Sequence, residues 1–145
     1  MTAKEFNKDR TSGADGLTTL LSDFEPEETM DRLEVEAAAQ GLRVFARINH
    51  AALAAETGLP LQPTELLIFG NPRAGTPLMQ VNQTMGIDLP LKVLVWQDVA
   101  NRTWLTYNDF CWLVNRHSVG FKAERTVDAM ALSLAALAKK VTEMP

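Results

Sequence analysis

One cysteine, one tyrosine and two histidines are all that this chain of 145 residues offers of several reactive side-chain types. The lone Cys111 excludes an intrachain disulfide and every cysteine-based zinc framework, a usage that fits a reducing compartment. Cations are in deficit, with 14 Lys and Arg against 18 Asp and Glu and a net charge of −4 at pH 7. Arg43, Arg47, Arg73, Lys92 and Arg102 are scattered among acidic residues, so no basic face for nucleic acid is expected. Long apolar runs are missing as well: no stretch approaches the ~20 residues that a membrane span needs. The opening MTAKEFNKDRTSGADG lacks the apolar core of a signal peptide. The expectation is a cytoplasmic protein with neither a membrane nor a nucleic-acid partner. Residues 1 to 16 are expected to form a flexible tail, ahead of a single domain over residues 17 to 145.

What remains is patterned for a mixed fold. Leu17 to Ser22 has the makings of a short strand. A helix follows, with Pro26 at its first position, Glu25, Glu27 and Glu28 at its positive end, and Gly41 as its stop. Met30, Leu33 and Ala37 share one face of it. In LRVFARIN, residues 42 to 49, Leu42, Val44, Ala46 and Ile48 alternate with Arg43, Phe45, Arg47 and Asn49, the period of a strand. Asn49 is placed to cap a short helix that Gly58 ends, and Pro60 and Pro63 stiffen the next link. Glu65 to Gly70 reads as a strand. LKVLVWQD and RTWLTYN form a hairpin, followed by a short helix from Asp109 to about Arg116. Val127, Met130, Leu134, Leu137 and Val141 then recur at spacings of three and four, the stripe of a helix that covers a sheet. Strand, helix, four strands, helix, with small helices in the links, is a mainly antiparallel α+β domain packed by two long helices. Leu66, Ile68, Leu94 and Trp96 oppose Leu67, Phe69, Val93 and Val95 on their strands, so both sheet faces need cover. The two long helices suffice for one face. The other calls for the small helices, a ligand or a second subunit, and a homodimer is the expectation.

The stretch LLIFGNPRAGTPLM, residues 66 to 79, spaces Gly70 and Gly75 like the glycines of a phosphate-binding loop. Thr76 stands where that loop needs its lysine, and Pro77 where it needs a serine or threonine. Pro72 removes a further N–H, so the triphosphate reading fails and no cofactor is expected. Thr76 is instead read as the cap of a short helix, Pro77 as its first residue and Gly86 as its stop.

Four segments together, RVFARINHAA, PTELLIFGNPRAGTPLMQ, DLPLKVLVW and WLTYND, resemble the bacterial family called domain of unknown function 302, from Gly16 to Leu137. The resemblance implies a TBP-like strand–helix–four strands–helix domain whose members tend to form homodimers. It implies a fold and motif positions, with no mechanism attached.

Three functional readings stand beside one another. If the last four strands meander, Asn71, Arg73, Thr76, Lys92, Tyr107 and Asn108 gather at one sheet edge. Two cations, a phenol and amides suit a small anionic ligand there. Alternatively, His50 is the acid–base group of an enzyme, oriented by Glu65. The third reading is a homodimeric structural module without a ligand. A metal would need His50, His117 and Cys111 to meet, and no ligand pair is close in sequence, so none is expected. His117 is expected to satisfy the last carbonyls of the preceding helix, and the tryptophans to serve core or interface rather than a flat ligand.

Overall fold

The computed structural model describes residues 16–145, so the tail expected over residues 1 to 16 lies outside the described residues except for Gly16. The elements run β1 (Leu17–Leu21), α1 (Pro26–Ala39), β2 (Arg43–Asn49), α2 (His50–Glu56), β3 (Thr64–Gly70) and α3 (Pro72–Val81). A 3-10 turn (Gln83–Ile87) leads to β4 (Leu91–Gln97), β5 (Thr103–Asn108) and α4 (Phe110–Arg116). A second 3-10 turn (Gly120–Ala123) opens α5 (Glu124–Thr142). The strands form one antiparallel sheet in the order β1-β5-β4-β3-β2. This is the strand–helix–four strands–helix α+β order anticipated from periodicity.

Local chemistry accounts for the helix ends. Pro26 occupies the first turn of α1 with Glu27 and Glu28, where the missing N–H is harmless and the charges meet the dipole. Gly41, at φ +77°, closes the helix: its N–H reaches the Ala38 carbonyl and the Leu42 N–H reaches that of Ala37. The α1 and α5 helices pack on one sheet face through Met30, Leu33, Ala37, Leu134, Leu137 and Val141. Against them lie Leu67, Phe69, Val93, Val95, Leu105 and Tyr107. Leu66, Ile68, Leu94 and Trp96 point the other way and stay partly exposed.

Two local expectations are corrected. The alternation in β2 is broken by a bulge between Val44 and Ala46. Val44 pairs with Phe69 on the helix side, whereas Ala46 and Ile48 pair with Ile68 and Leu66 on the open side. Arg47 is thereby turned towards α1. Its guanidinium reaches Asp31 at 2.6 Å, Glu34 at 3.0 Å and Glu65 at 2.8 Å. Partial burial opposes its charge, but the hydrogen bonds to Glu65, Asp31 and Glu34 outweigh that and hold it above the ordinary arginine value.

The second correction concerns the loop after β3. Thr76 is not the cap; α3 starts five residues earlier than expected, with Asn71 as its cap and Pro72 in its first turn. The Asn71 side-chain oxygen accepts from the Arg73 N–H at 3.0 Å, and its carbonyl accepts from Ala74 and Gly75. Asparagine is the stronger cap and Pro72 the better placed first-turn proline. Pro77 therefore lies inside the helix, which ends at Asn82 rather than at Gly86.

Candidate functional site

The end of β3, the start of β4, the first turn of α3 and one side of α5 do not close on one another. A cavity of about 490 Å³ remains. Its floor is Leu42, Phe69, Leu91, Leu134 and Leu137, with Met130 at one side. Its polar wall is Asn71 and Arg73 from the start of α3, facing Arg125, Thr126 and Ser133 from α5.

The arginines of this wall differ from the rest. Arg32, Arg47, Arg102 and Arg116 each contact a carboxylate, and Arg43 lies over the ring of Phe45. Among the described residues, Arg73 and Arg125 have neither an acidic nor an aromatic partner, and both line this one cavity. A second cavity, of about 190 Å³, shares Asn71, Leu91 and Met130 with the first. Phe45, Gly75, Thr76, Met79, Gly86 and Leu89 also line it.

Of the residues expected to meet at this sheet edge, Asn71 and Arg73 line the larger cavity and Thr76 the smaller. The pleat separates the others. Tyr107 pairs with Val93, which turns its ring into the core, where it is 7% exposed. Lys92 pairs with Ile68 on the open face, and its ammonium donates to the Pro90 carbonyl at 3.3 Å. Asn108 ends β5 and lies opposite Leu17 of β1, and it lines neither cavity. One edge thus carries them all, but on different faces and strands.

Glu65 lies in β3 and His50 opens α2, as the sequence suggested, yet the Glu65 carboxylate accepts both of its bonds from Arg47. The orienting contact to His50 is replaced by that ion pair. His117 meets the expectation through its backbone, as the C-cap of α4, while its ring is used elsewhere. Its backbone N–H bonds Leu113, while its ring joins the Asp88 carboxylate through Nε2 at 2.5 Å and the Thr84 hydroxyl through Nδ1 at 2.9 Å. With Asn82 donating to the His117 carbonyl at 2.7 Å, the ring ties the first 3-10 turn to the end of α4. Trp96 and Trp104 stack 6.3 Å apart and donate to Thr106 and Asp98, away from either cavity.

Arg125 and Ser133 were not foreseen as site residues. On α5 they look like ordinary polar positions beside an apolar stripe, and no local pattern links them to a loop some fifty residues earlier. A charged residue next to such a stripe is the weak signal that existed.

Comparison with known proteins places this geometry in context. The sequence model of the family described as "Domain of unknown function DUF302" matches residues 18–137. The chain is 44% identical over 124 residues to "Fluoride-specific ion channel FluC 1" of Brucella suis biovar 1 (strain 1330), covering 86% of this chain and 49% of that protein. The same identity and length relate it to "Fluoride-specific ion channel FluC 1" of Brucella abortus, of which it covers 46%. The chain thus spans about half the length of these curated relatives. Among its described residues, no helix is long and apolar enough to cross a membrane. The crystal structure of an uncharacterized conserved protein DUF302 from Bacillus stearothermophilus matches with a TM-score of 0.78 at 22% identity. That match covers 90% of this chain and 100% of the other, and speaks to the fold alone.

Proposed function

The chain belongs to the DUF302 family, and within that family's fold we propose that it binds a small organic anion in the cavity walled by Arg73 and Arg125. The observation that carries this reading is the pairing state of the arginines. Among the described residues, the two without a carboxylate or ring partner line the same cavity, over an apolar floor. A carboxylate or phosphate there receives charge-assisted hydrogen bonds while its organic part covers Leu42, Phe69 and Leu134.

The names of the Brucella relatives make fluoride an anion to weigh. A bare fluoride ion needs donors on several sides, and this floor would leave it against hydrocarbon. Organic anions fit better. A thermal-shift series with small carboxylates, organic phosphates and sodium fluoride tests the reading. A bound anion at about a hundred times its Kd contributes ~2.7 kcal/mol and raises the Tm by roughly 5–10 °C. Arg73→Met combined with Arg125→Met should remove that shift and leave the ligand-free Tm nearly unchanged. If no organic anion shifts the Tm, or the double variant responds like the wild type, the reading is wrong.

We also propose that two copies pair through the open sheet face, where Ile48, Leu66, Ile68, Leu94 and Trp96 remain partly exposed. Light scattering decides this: a chain that stays monomeric at high micromolar concentration does not pair this way.

A further inference from the structure

The smaller cavity adds a dimension to the ligand. It shares Asn71, Leu91 and Met130 with the arginine-walled cavity, so the two spaces adjoin at those side chains. Among the described residues no charged side chain lines it, and Asn71 and Thr76 are its polar members. The Asn71 oxygen is already engaged by the Arg73 N–H. Three of its lining residues, Gly70, Gly75 and Gly86, are glycines. A methyl group at Gly75 would lie 3.5 Å from Leu89, and one at Gly86 would lie 3.2 Å from Met79 Sδ, so the absence of side chains keeps the space open. Met130, partly buried between the two spaces, is unbranched and flexible enough to move aside. Charge sits at one end of this arrangement and hydrocarbon at the other.

Building on the anion-binding reading above, we propose that the two cavities hold one amphipathic ligand, an unbranched aliphatic carboxylate. Its carboxylate sits at Arg73 and Arg125, and its tail passes Met130 into the space beside Gly75 and Gly86. Neither end suffices alone. A short acid leaves the second cavity empty, and an uncharged alcohol of equal length leaves the arginines without a partner.

Isothermal titration of the full chain with a series from acetate to dodecanoate tests this, with decanol as the uncharged comparison. Affinity is expected to rise about fourfold per added methylene, until the second cavity is filled. Decanol should bind at least tenfold more weakly than decanoate. Met130→Trp, which plugs the passage, should flatten the rise after the shortest acids. Gly75→Ala, whose methyl meets Leu89 at an ordinary contact distance, should blunt it mildly in a chain that still folds. Equal affinity for acetate and decanoate would overturn the tail assignment and leave the arginine site standing. A chain-length rise unchanged in folded Met130→Trp would also overturn it, since the tail would then lie elsewhere. If no acid binds at any length, while a phosphate or other organic anion still shifts the Tm, this inference fails alone. If nothing shifts it, both readings fall together.

Discussion

Asn71 holds two positions at once: it caps α3 through its side chain and walls both cavities. Asn71→Ala removes the cap and should cost ~1 kcal/mol, lowering the Tm by roughly 3–4 °C in thermal denaturation followed by circular dichroism. An unchanged Tm would mean that the Asn71 carbonyl alone starts the helix. Asp98 governs the β4–β5 turn. Its carboxylate accepts from the Trp104 indole, from the Arg102 backbone and from the Arg102 side chain, and in that order of effect these hold its pKa at about 2, against 3.8 ordinarily. A depressed folded value means that the stabilisation is complete above 3.8 and is lost as pH falls towards about 2. Asp98→Asn should therefore lower the Tm at neutral pH by a few degrees, with the gap to wild type closing at acid pH. A gap that stays constant across a pH series would refute this. Such residues are partly legible in a sequence, because caps and turn acids act within a few positions. Asn71 and Thr76 each precede a proline, and only the full helix shows which proline is first.

Among the elements, the long helices were readable because an amphipathic stripe at spacings of three and four needs no partner to be recognised. The bulge in β2 was not. Its residues alternate on paper, but pairing with β3 inserts an extra residue at Phe45 and turns Arg47 towards α1. Arg47 joins β2, β3 and α1, at 25% exposure with Glu65 at 19%. Arg47→Met should cost ~1–2 kcal/mol at neutral pH, because three carboxylates then face one another without their cation. Urea denaturation measures this as a lower midpoint with an unchanged slope. Leu105→Ala, in the fully buried centre of β5, belongs to the cavity-forming class and should cost ~2–5 kcal/mol. A smaller loss in the same titration would show that α1 and α5 collapse onto the gap.

For the molecule as a whole, one sheet face is closed by two helices and the other stays half-exposed across β2, β3 and β4. If two copies pair there, Leu94→Glu, at the middle of that face, should give a monomer of native secondary structure by light scattering and circular dichroism. A dimer of undiminished size would move the interface elsewhere. The amino-acid order by itself determined the element types, their succession and the antiparallel sheet, because periodicity and capping are read over a turn or a strand. It also pointed to the loop after β3 as the place of interest. Only the tertiary structure decided which side chains share that place. The pleat sends Tyr107 and Lys92 to opposite faces, and α5 brings Arg125 to Arg73 from about fifty residues away. Faces and distant neighbours are set by strand register and helix packing, which no local stretch of sequence contains.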